Sequence, residues 1–92
     1  MTAKSRAVGD VIAAARQELR MLTGHEVDSV SAVRAEEDGW HITFEVVELK
    51  RVPESTSVLG TYETLADDDG AVIEFARSRR YYRNQPSEGD AP

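Results

Sequence analysis

The apolar residues of this chain change their spacing once, near Gly24, and this change limits the folds that the sequence can adopt. Between residues 4 and 22 they recur at the intervals of one helix face: Val8, Val11, Ile12, Ala15, Leu19 and Leu22. From Val27 onward apolar and polar residues tend to alternate, as in strands that bury one face. The sequence therefore predicts one amphipathic helix that ends at Gly24, followed by a sheet.

Turn residues divide the rest of the chain into four segments with strand character. The segment "VDSVSAVRAEE" ends at the hairpin signal Asp38-Gly39, and "WHITFEVVELKR" follows it. The link "VPESTS" leads to the strand "VLGTYETLA", and the turn "DDDG" leads to "AVIEFARSRRYYR". Short strands joined in series favour an antiparallel arrangement. The predicted fold class is α+β, with one N-terminal amphipathic helix packed on a four-stranded antiparallel β-meander.

The largest apolar face of these strands lies on the second one, which carries Trp40, Ile42, Phe44 and Val46 at two-residue intervals. We expect the helix to cover this face, because each surface is the largest apolar partner available to the other. The alternative is that the apolar stripe of the helix binds a groove of a partner protein.

The length of 92 residues fits one α+β domain, which we place at residues 1–84. The polar tail over residues 85–92 is expected to be disordered. The absence of cysteine excludes a disulfide framework and thiolate metal sites. The sequence contains neither a recognisable signal peptide nor an apolar run long enough to span a membrane. We therefore expect a cytoplasmic protein that does not bind membranes.

No pattern of residues indicates catalytic, cofactor-binding or metal-binding chemistry. His41 and Glu45 share a strand face but stand about 13 Å apart, which is too far for an acid-base pair. Neither His25 nor His41 has the spacing of a metal ligand, and "DDDG" lacks the alternating ligands of a calcium loop. Gly60, inside a strand, indicates a bulge or a close approach to the backbone. The sequence thus predicts a protein that is not an enzyme.

Charged residues gather where the second strand ends and along the last strand. Antiparallel neighbours would bring strand carboxylates opposite the arginines of the last strand, and Arg pairs with carboxylates through two parallel hydrogen bonds. We interpret this group as an ion network that shapes a protein-binding surface, formed by Glu48, Arg51, Glu63, Arg77 and Arg80. A small enzyme built on Glu48, Arg51 and Glu63 is the competing hypothesis, and it would need a concave pocket.

The segment "RSRRYYR", from Arg77 to Arg83, combines cations with aromatic rings as single-stranded nucleic-acid binders do. The isoelectric point near 4.8 and thirteen carboxylates between residues 26 and 76 oppose that interpretation, since nucleic-acid-binding domains usually present a basic face. We therefore expect no nucleic-acid partner, and a nucleic-acid-binding regulator that uses Arg77 to Arg83 is the alternative function.

The order of these residues over about positions 38 to 83 resembles the gas vesicle protein O family of gas vesicle synthesis accessory proteins. The residues that carry the resemblance are Trp40, Glu45, Glu48, Arg51, Pro53, Leu59, Tyr62, Glu63, Gly70, Arg77, Arg80, Tyr81 and Arg83. The chain departs from the family pattern at Ser57, where members often carry aspartate.

The resemblance implies a non-enzymatic protein that gas vesicle assembly requires, located in the cytoplasm or at the vesicles. Its implied partners are the gas vesicle shell protein and other gas vesicle accessory proteins. No catalytic residue and no cofactor accompany the resemblance, and it leaves the oligomeric state open.

Overall fold

The computed structural model describes residues 7–84, which form one helix and a four-stranded sheet. Helix α1 covers Val8–Thr23, and the strands are β1 (Glu26–Glu36), β2 (Gly39–Leu49), β3 (Val58–Ala66) and β4 (Val72–Tyr82). A short 3-10 turn at Glu54–Thr56 lies in the link between β2 and β3. The predicted α+β fold class is confirmed. The tail predicted to be disordered, residues 85–92, lies outside the described residues, as do the first residues predicted for the helix.

Helix α1 ends where the sequence predicts, because Gly24 adopts the left-handed conformation, with a φ of 77°. The N–H of Gly24 donates to the Arg20 carbonyl oxygen over 2.8 Å. The buried stripe of the helix is shorter than predicted, because Val8 is 45% exposed and Leu22 is 53% exposed. Val8 is the first residue of the helix and Leu22 lies in its last turn. Among residues 7–84, no helix is long and apolar enough to span a membrane.

The four strands pair in chain order, β1-β2-β3-β4, and every pair is antiparallel. Two tight turns match their sequence signals. Gly39 follows Asp38 at the β1–β2 hairpin with a φ of 139°. Before β4, one Asp67 carboxylate oxygen accepts the N–H groups of Asp69 and Ala71 over 2.9 and 3.0 Å. This bonding explains the aspartate-rich turn without a calcium ion.

The core lies between α1 and the face of β2 that carries Ile42, Phe44 and Val46, as the sequence predicts. Leu19 of the helix is fully buried in this core, while Trp40 is only half-buried at its margin. We call this face of the sheet the helix face and the other side the open face. On β3, Tyr62 pairs with Phe44 and belongs to the same core.

Polar contacts attach α1 to both edge strands. The guanidinium of Arg16 donates to the Val27 carbonyl oxygen of β1 over 3.1 Å. The N–H of Val72 in β4 donates to a Glu18 carboxylate oxygen over 2.6 Å. Near this second contact, a Cβ at Gly70 would lie 2.5 Å from the Cβ of Ala14. The helix is therefore held at both sides of the sheet, and it approaches the β3–β4 turn as closely as a glycine allows.

Candidate protein-binding site

Two β-bulges place the charged residues of the site. In β2, Val47 pairs with Leu59 and Leu49 pairs with Val58, so Glu48 is an extra residue. In β4, Arg79 pairs with Thr61 and Arg77 pairs with Tyr62, so Ser78 is an extra residue. Bulges bend a strand and redirect its side chains.

The bulge at Ser78 decides where two arginines lie. In a regular strand, residues three apart point to opposite faces. The extra residue instead sets Arg77 beside Tyr62 and Arg80 beside Gly60, both on the helix face. The Ser78 hydroxyl donates to the Thr61 carbonyl oxygen over 3.2 Å, which holds the bulge against β3.

Glu48 lies at the centre of these residues, and only 6% of its side chain is exposed. One carboxylate oxygen, Oε2, accepts the Tyr62 hydroxyl over 2.7 Å. The other, Oε1, accepts Arg80 Nε over 2.9 Å and an Arg77 terminal nitrogen over 3.1 Å. We call these four residues the Glu48 cluster: Glu48, Tyr62, Arg77 and Arg80.

Gly60 makes room for the Glu48 carboxylate on strand β3. A Cβ at Gly60 would lie 2.6 Å from Glu48 Oε2 and 3.1 Å from a ring carbon of Tyr62. Both distances are shorter than ordinary van der Waals contact. The sequence predicted a bulge or a close approach at Gly60, and the structure shows a close approach by a side chain.

The protonation states of the cluster follow from burial and from its cations. Burial alone would raise the pKa of Glu48, but the Tyr62 hydroxyl and the two guanidinium groups together lower the pKa below its ordinary value. Burial, and next the bond to Glu48, raise the pKa of Tyr62 to about 12. At neutral pH the cluster therefore holds one carboxylate and two guanidinium groups, a net charge of plus one. The side chains of Arg77 and Arg80 are 41% and 59% exposed, so this charge faces solvent.

The structure brings together three of the five residues predicted for the ion network and leaves two outside it. Arg51 is exposed in the link after β2, where its backbone N–H donates to the Ser57 hydroxyl over 3.0 Å. Glu63 pairs with Thr43 and Ala76, which places it on the open face. Within residues 7–84, neither side chain forms an ion pair with the Glu48 cluster. The protein-binding role of all five remains a prediction.

Two members of the site, Tyr62 and Gly60, were missed as partners of Glu48 in the sequence. Both stand at even spacing from Val58 along β3, and this spacing places them on one face. The sequence argument counted charges alone, so a hydroxyl donor and a residue without a side chain carried no weight in it.

The open face holds a second carboxylate, Glu45, with partners of a different kind. Glu45 accepts the hydroxyl groups of Ser31, Thr61 and Tyr81, each over 2.8 Å. Burial, and next the bond to Glu45, raise the pKa of Tyr81 to about 12. Arg79 does not pair with Glu45; its guanidinium carbon lies 4.9 Å from the centre of the Tyr81 ring. Three hydroxyl groups therefore hold Glu45.

The segment from Arg77 to Arg83 directs most of its polar groups to carboxylates of this chain. Arg77 and Arg80 contact Glu48. Tyr81 contacts Glu45, and Arg83 pairs with Asp28 over 3.0 Å. These pairs place the cations of the segment beside carboxylates, so the segment does not present the continuous basic face that is usual in nucleic-acid binders.

A group of ligand-type atoms occurs at the β1–β2 hairpin, where Glu36, Asp38 and His41 offer atoms within 4.8 Å of one another. The His41 Nε2 lies 2.8 Å from an Asp38 carboxylate oxygen, and this bond lowers the pKa of Asp38. The Arg34 guanidinium pairs with Glu36. A hydrogen bond and an ion pair within the hairpin thus account for the group, and it supports no metal assignment.

A comparison with protein families matches residues 1–87 of the chain to the model of gas vesicle synthesis protein GvpO. A gas vesicle protein O from Streptomyces sp. (strain CB03234) is 43% identical over 75 residues, which cover 82% of this chain and 59% of the relative. Gas vesicle protein O1 from Halobacterium salinarum is 30% identical over 74 residues, 80% of this chain and 62% of the relative.

A gas vesicle protein O from Haloferax mediterranei is 29% identical over 82 residues, which cover 88% of this chain and 59% of the relative. The chain thus spans about three fifths of the length of the curated relatives that it matches. No solved structure matches it. The family resemblance seen in the sequence is confirmed.

Proposed function

Because the chain belongs to the family of gas vesicle synthesis protein GvpO, we propose that it is a non-enzymatic accessory protein that gas vesicle assembly requires. In this proposal it works in the cytoplasm or at the vesicle, and it binds the gas vesicle shell protein, other gas vesicle accessory proteins, or both. The names of the relatives support the role in gas vesicle formation. The proposed binding of partners and the proposed absence of catalysis are argued from the Glu48 cluster.

The observation that carries the binding role is the Glu48 cluster. A buried carboxylate holds two half-exposed arginines side by side on the helix face. Such an arrangement fixes the positions of the cations before a partner arrives, which reduces the entropy lost on binding. Arginine is also enriched among the residues that contribute most to protein interfaces.

The protonation states of the same cluster support a role without catalysis. A general acid or base works best with a pKa near the operating pH. The pKa of Glu48 is below its ordinary value and that of Tyr62 is about 12, so both groups keep one protonation state near neutrality. The cluster is therefore suited to holding charge in place.

Two measurements test the proposal. Deletion of the gene should abolish vesicles seen by electron microscopy, and the wild-type gene should restore them. The tagged protein should then recover shell or accessory proteins from the restored cells, whereas the double variant Arg77→Ala/Arg80→Ala should recover less of them. Arg20→Ala, which changes an exposed arginine of the helix, is the matched control. Normal vesicles in the deletion strain contradict the required role. Undiminished recovery by the folded double variant contradicts the site.

A further inference from the structure

We infer that the outer edge of β4 binds an extended acidic segment of a partner protein, which adds to the sheet as a fifth strand and places a carboxylate on Arg77 and Arg80. This inference rests on the proposed function, since it assigns a chemical class to the partner that the Glu48 cluster binds. Three features of β4 support it: its position in the sheet, the charge of the cluster and the side chains beside it.

Strand β4 is an edge strand of eleven residues. Within residues 7–84 it pairs with β3 alone, so the backbone groups of its other edge have no strand partner there. Unpaired edges of this kind accept an extended peptide through main-chain hydrogen bonds. The bulge at Ser78 leaves regular pairing on both sides of it, at Glu74–Arg77 and at Arg79–Tyr82.

Proteins often place charged side chains on an edge to prevent pairing, but the arginines of β4 differ from such guards. Edge guards include charged side chains and bulges, but on β4 Glu48 holds the guanidinium groups of Arg77 and Arg80, so these charges are fixed beside the strand. The bulge places both on one face. A segment that adds to β4 would therefore meet two fixed cations at one position.

The charge of the cluster selects a carboxylate. Two guanidinium groups and one carboxylate leave a net charge of plus one, which one partner carboxylate would neutralise. Each guanidinium has five N–H donors, and Glu48 occupies only part of the set. The remaining donors suit a carboxylate oxygen pair. The net charge of −6 for the whole chain repels a nucleic acid, with a phosphate at every nucleotide, more strongly than a segment with one carboxylate at the site.

Aromatic side chains lie beyond the arginines along the same face. Phe75 pairs with Thr64 and is 38% exposed, while Tyr82 pairs with Val58 and is 46% exposed. In an added strand, residues two apart share a face. Phe75 and Tyr82 lie opposite β3 residues that are six positions apart, with the two arginines between them. The matching segment thus has two apolar residues six positions apart, and one Glu or Asp two positions inside one of them.

The test uses two labelled nine-residue peptides that differ at one position. Both carry valine at the second and eighth positions and threonine or serine elsewhere, and the fourth position is glutamate in one and glutamine in the other. Fluorescence anisotropy measures their binding to the full chain. We expect the glutamate peptide to bind about tenfold more tightly, because one charged contact is lost in the other.

Arg80→Gln should remove most of this preference, and Arg20→Gln should leave it unchanged. Hydrogen exchange with the glutamate peptide bound should slow along β4, and not along the other edge strand, β1. The two peptides are also compared on the wild-type chain, so the inference can be tested even where a variant folds poorly.

Equal affinities for the two peptides on the wild-type chain overturn the inference. Slower hydrogen exchange along β1 with the glutamate peptide bound also overturns it. Tighter binding of a nine-nucleotide oligothymidine than of the glutamate peptide does the same. The gene deletion separates this failure from that of the proposed function. If vesicles are lost without the gene while the peptides bind equally, the accessory role stands and the partner chemistry is wrong. If vesicles form normally without the gene, the accessory role fails whatever the peptides do.

Discussion

At the scale of single residues, two carboxylates of β2 show how neighbours determine what a charged group does. Glu45 on the open face is held by three hydroxyl groups. Glu48 on the helix face is held by one hydroxyl and two cations. Hydrogen bonds to charged groups contribute about 1.5–3 kcal/mol each. Of these two carboxylates, only Glu48 pairs with exposed cations.

Glu48 should make the stability of the protein depend on acidic pH. Its folded-state pKa lies below the ordinary value of 4.5, so its stabilising contribution is present above that value and is lost as pH falls through the folded-state pKa. Urea unfolding of the wild type and of Glu48→Gln at pH 7, 5 and 3 measures this contribution. The difference between their free energies of unfolding should shrink as the pH falls. A constant difference would show that the Glu48 charge does not contribute.

Gly60 should tolerate alanine only when Glu48 is also changed. The new methyl group would displace the Glu48 carboxylate, so Gly60→Ala should lower the free energy of unfolding by about 1–3 kcal/mol. In a Glu48→Ala background the same change should cost much less, since the displaced group is gone. Gly9→Ala is the control: a Cβ there meets nothing within 4 Å, and alanine favours the helix. Equal costs in both backgrounds would contradict this role of Gly60.

The sequence predicted the contacts of Glu48 with Arg77 and Arg80 on the premise that their strands are neighbours. In the sheet β3 lies between them, and Glu48 reaches the arginines across Gly60, which has no side chain. The sequence alone could not show that Arg51 and Glu63 lie outside these contacts. Glu63 is separated from Tyr62 by one residue step, which moves its side chain to the open face. Arg51 belongs to a link whose course depends on tertiary contacts such as the bond to Ser57.

At the scale of elements, the strands could be predicted because turn residues mark where each strand ends. The predicted segment "VLGTYETLA" coincides with β3, Val58–Ala66. The bulges at Glu48 and Ser78 have no comparable sign, since any residue can occupy an extra position. Bulges arise from the pairing of whole strands, so the alternation of apolar and polar residues along one strand does not predict them.

The packing of α1 on the sheet can be tested at its centre and its end. Leu19→Ala should lower the free energy of unfolding by about 2–5 kcal/mol, because the side chain is fully buried between the helix and β2. Leu22→Ala should change it by less than about 0.5 kcal/mol, since Leu22 is 53% exposed. Denaturant titrations of the two variants measure both values. Similar losses would mean that the helix does not pack through its centre.

At the scale of the whole molecule, the helix and the cations divide one face of the sheet. Helix α1 buries the β2 residues Ile42, Phe44 and Val46. The arginines of β4 stay exposed beyond that core. An acidic chain with a small cationic site should repel other acidic surfaces except at that site, and the attraction should weaken with salt. Partner binding should therefore depend on where a carboxylate lies, rather than on total charge.

Arg80→Ala should separate binding from folding. Arg80 is 59% exposed, and Glu48 keeps its contacts to Tyr62 and Arg77 in the variant. The loss of an exposed pair changes stability by about 0–1 kcal/mol, so the melting temperature should fall only slightly. Recovery of gas vesicle proteins in pull-downs should fall much more, because the cluster loses the charge that faces the partner.

Arg51→Ala and Glu63→Ala, measured in the same way, decide how far the surface extends. Both residues are exposed and lie outside the Glu48 cluster, so smaller losses of partner recovery than for Arg80→Ala would limit the binding surface to the helix face of β4. If instead Arg51→Ala loses the partners while Arg80→Ala keeps them, the surface lies on the link after β2. A large fall in melting temperature for Arg80→Ala would mean that the arginine serves to hold Glu48 inside the fold, because an unpaired buried charge destabilises a protein by about 3–5 kcal/mol.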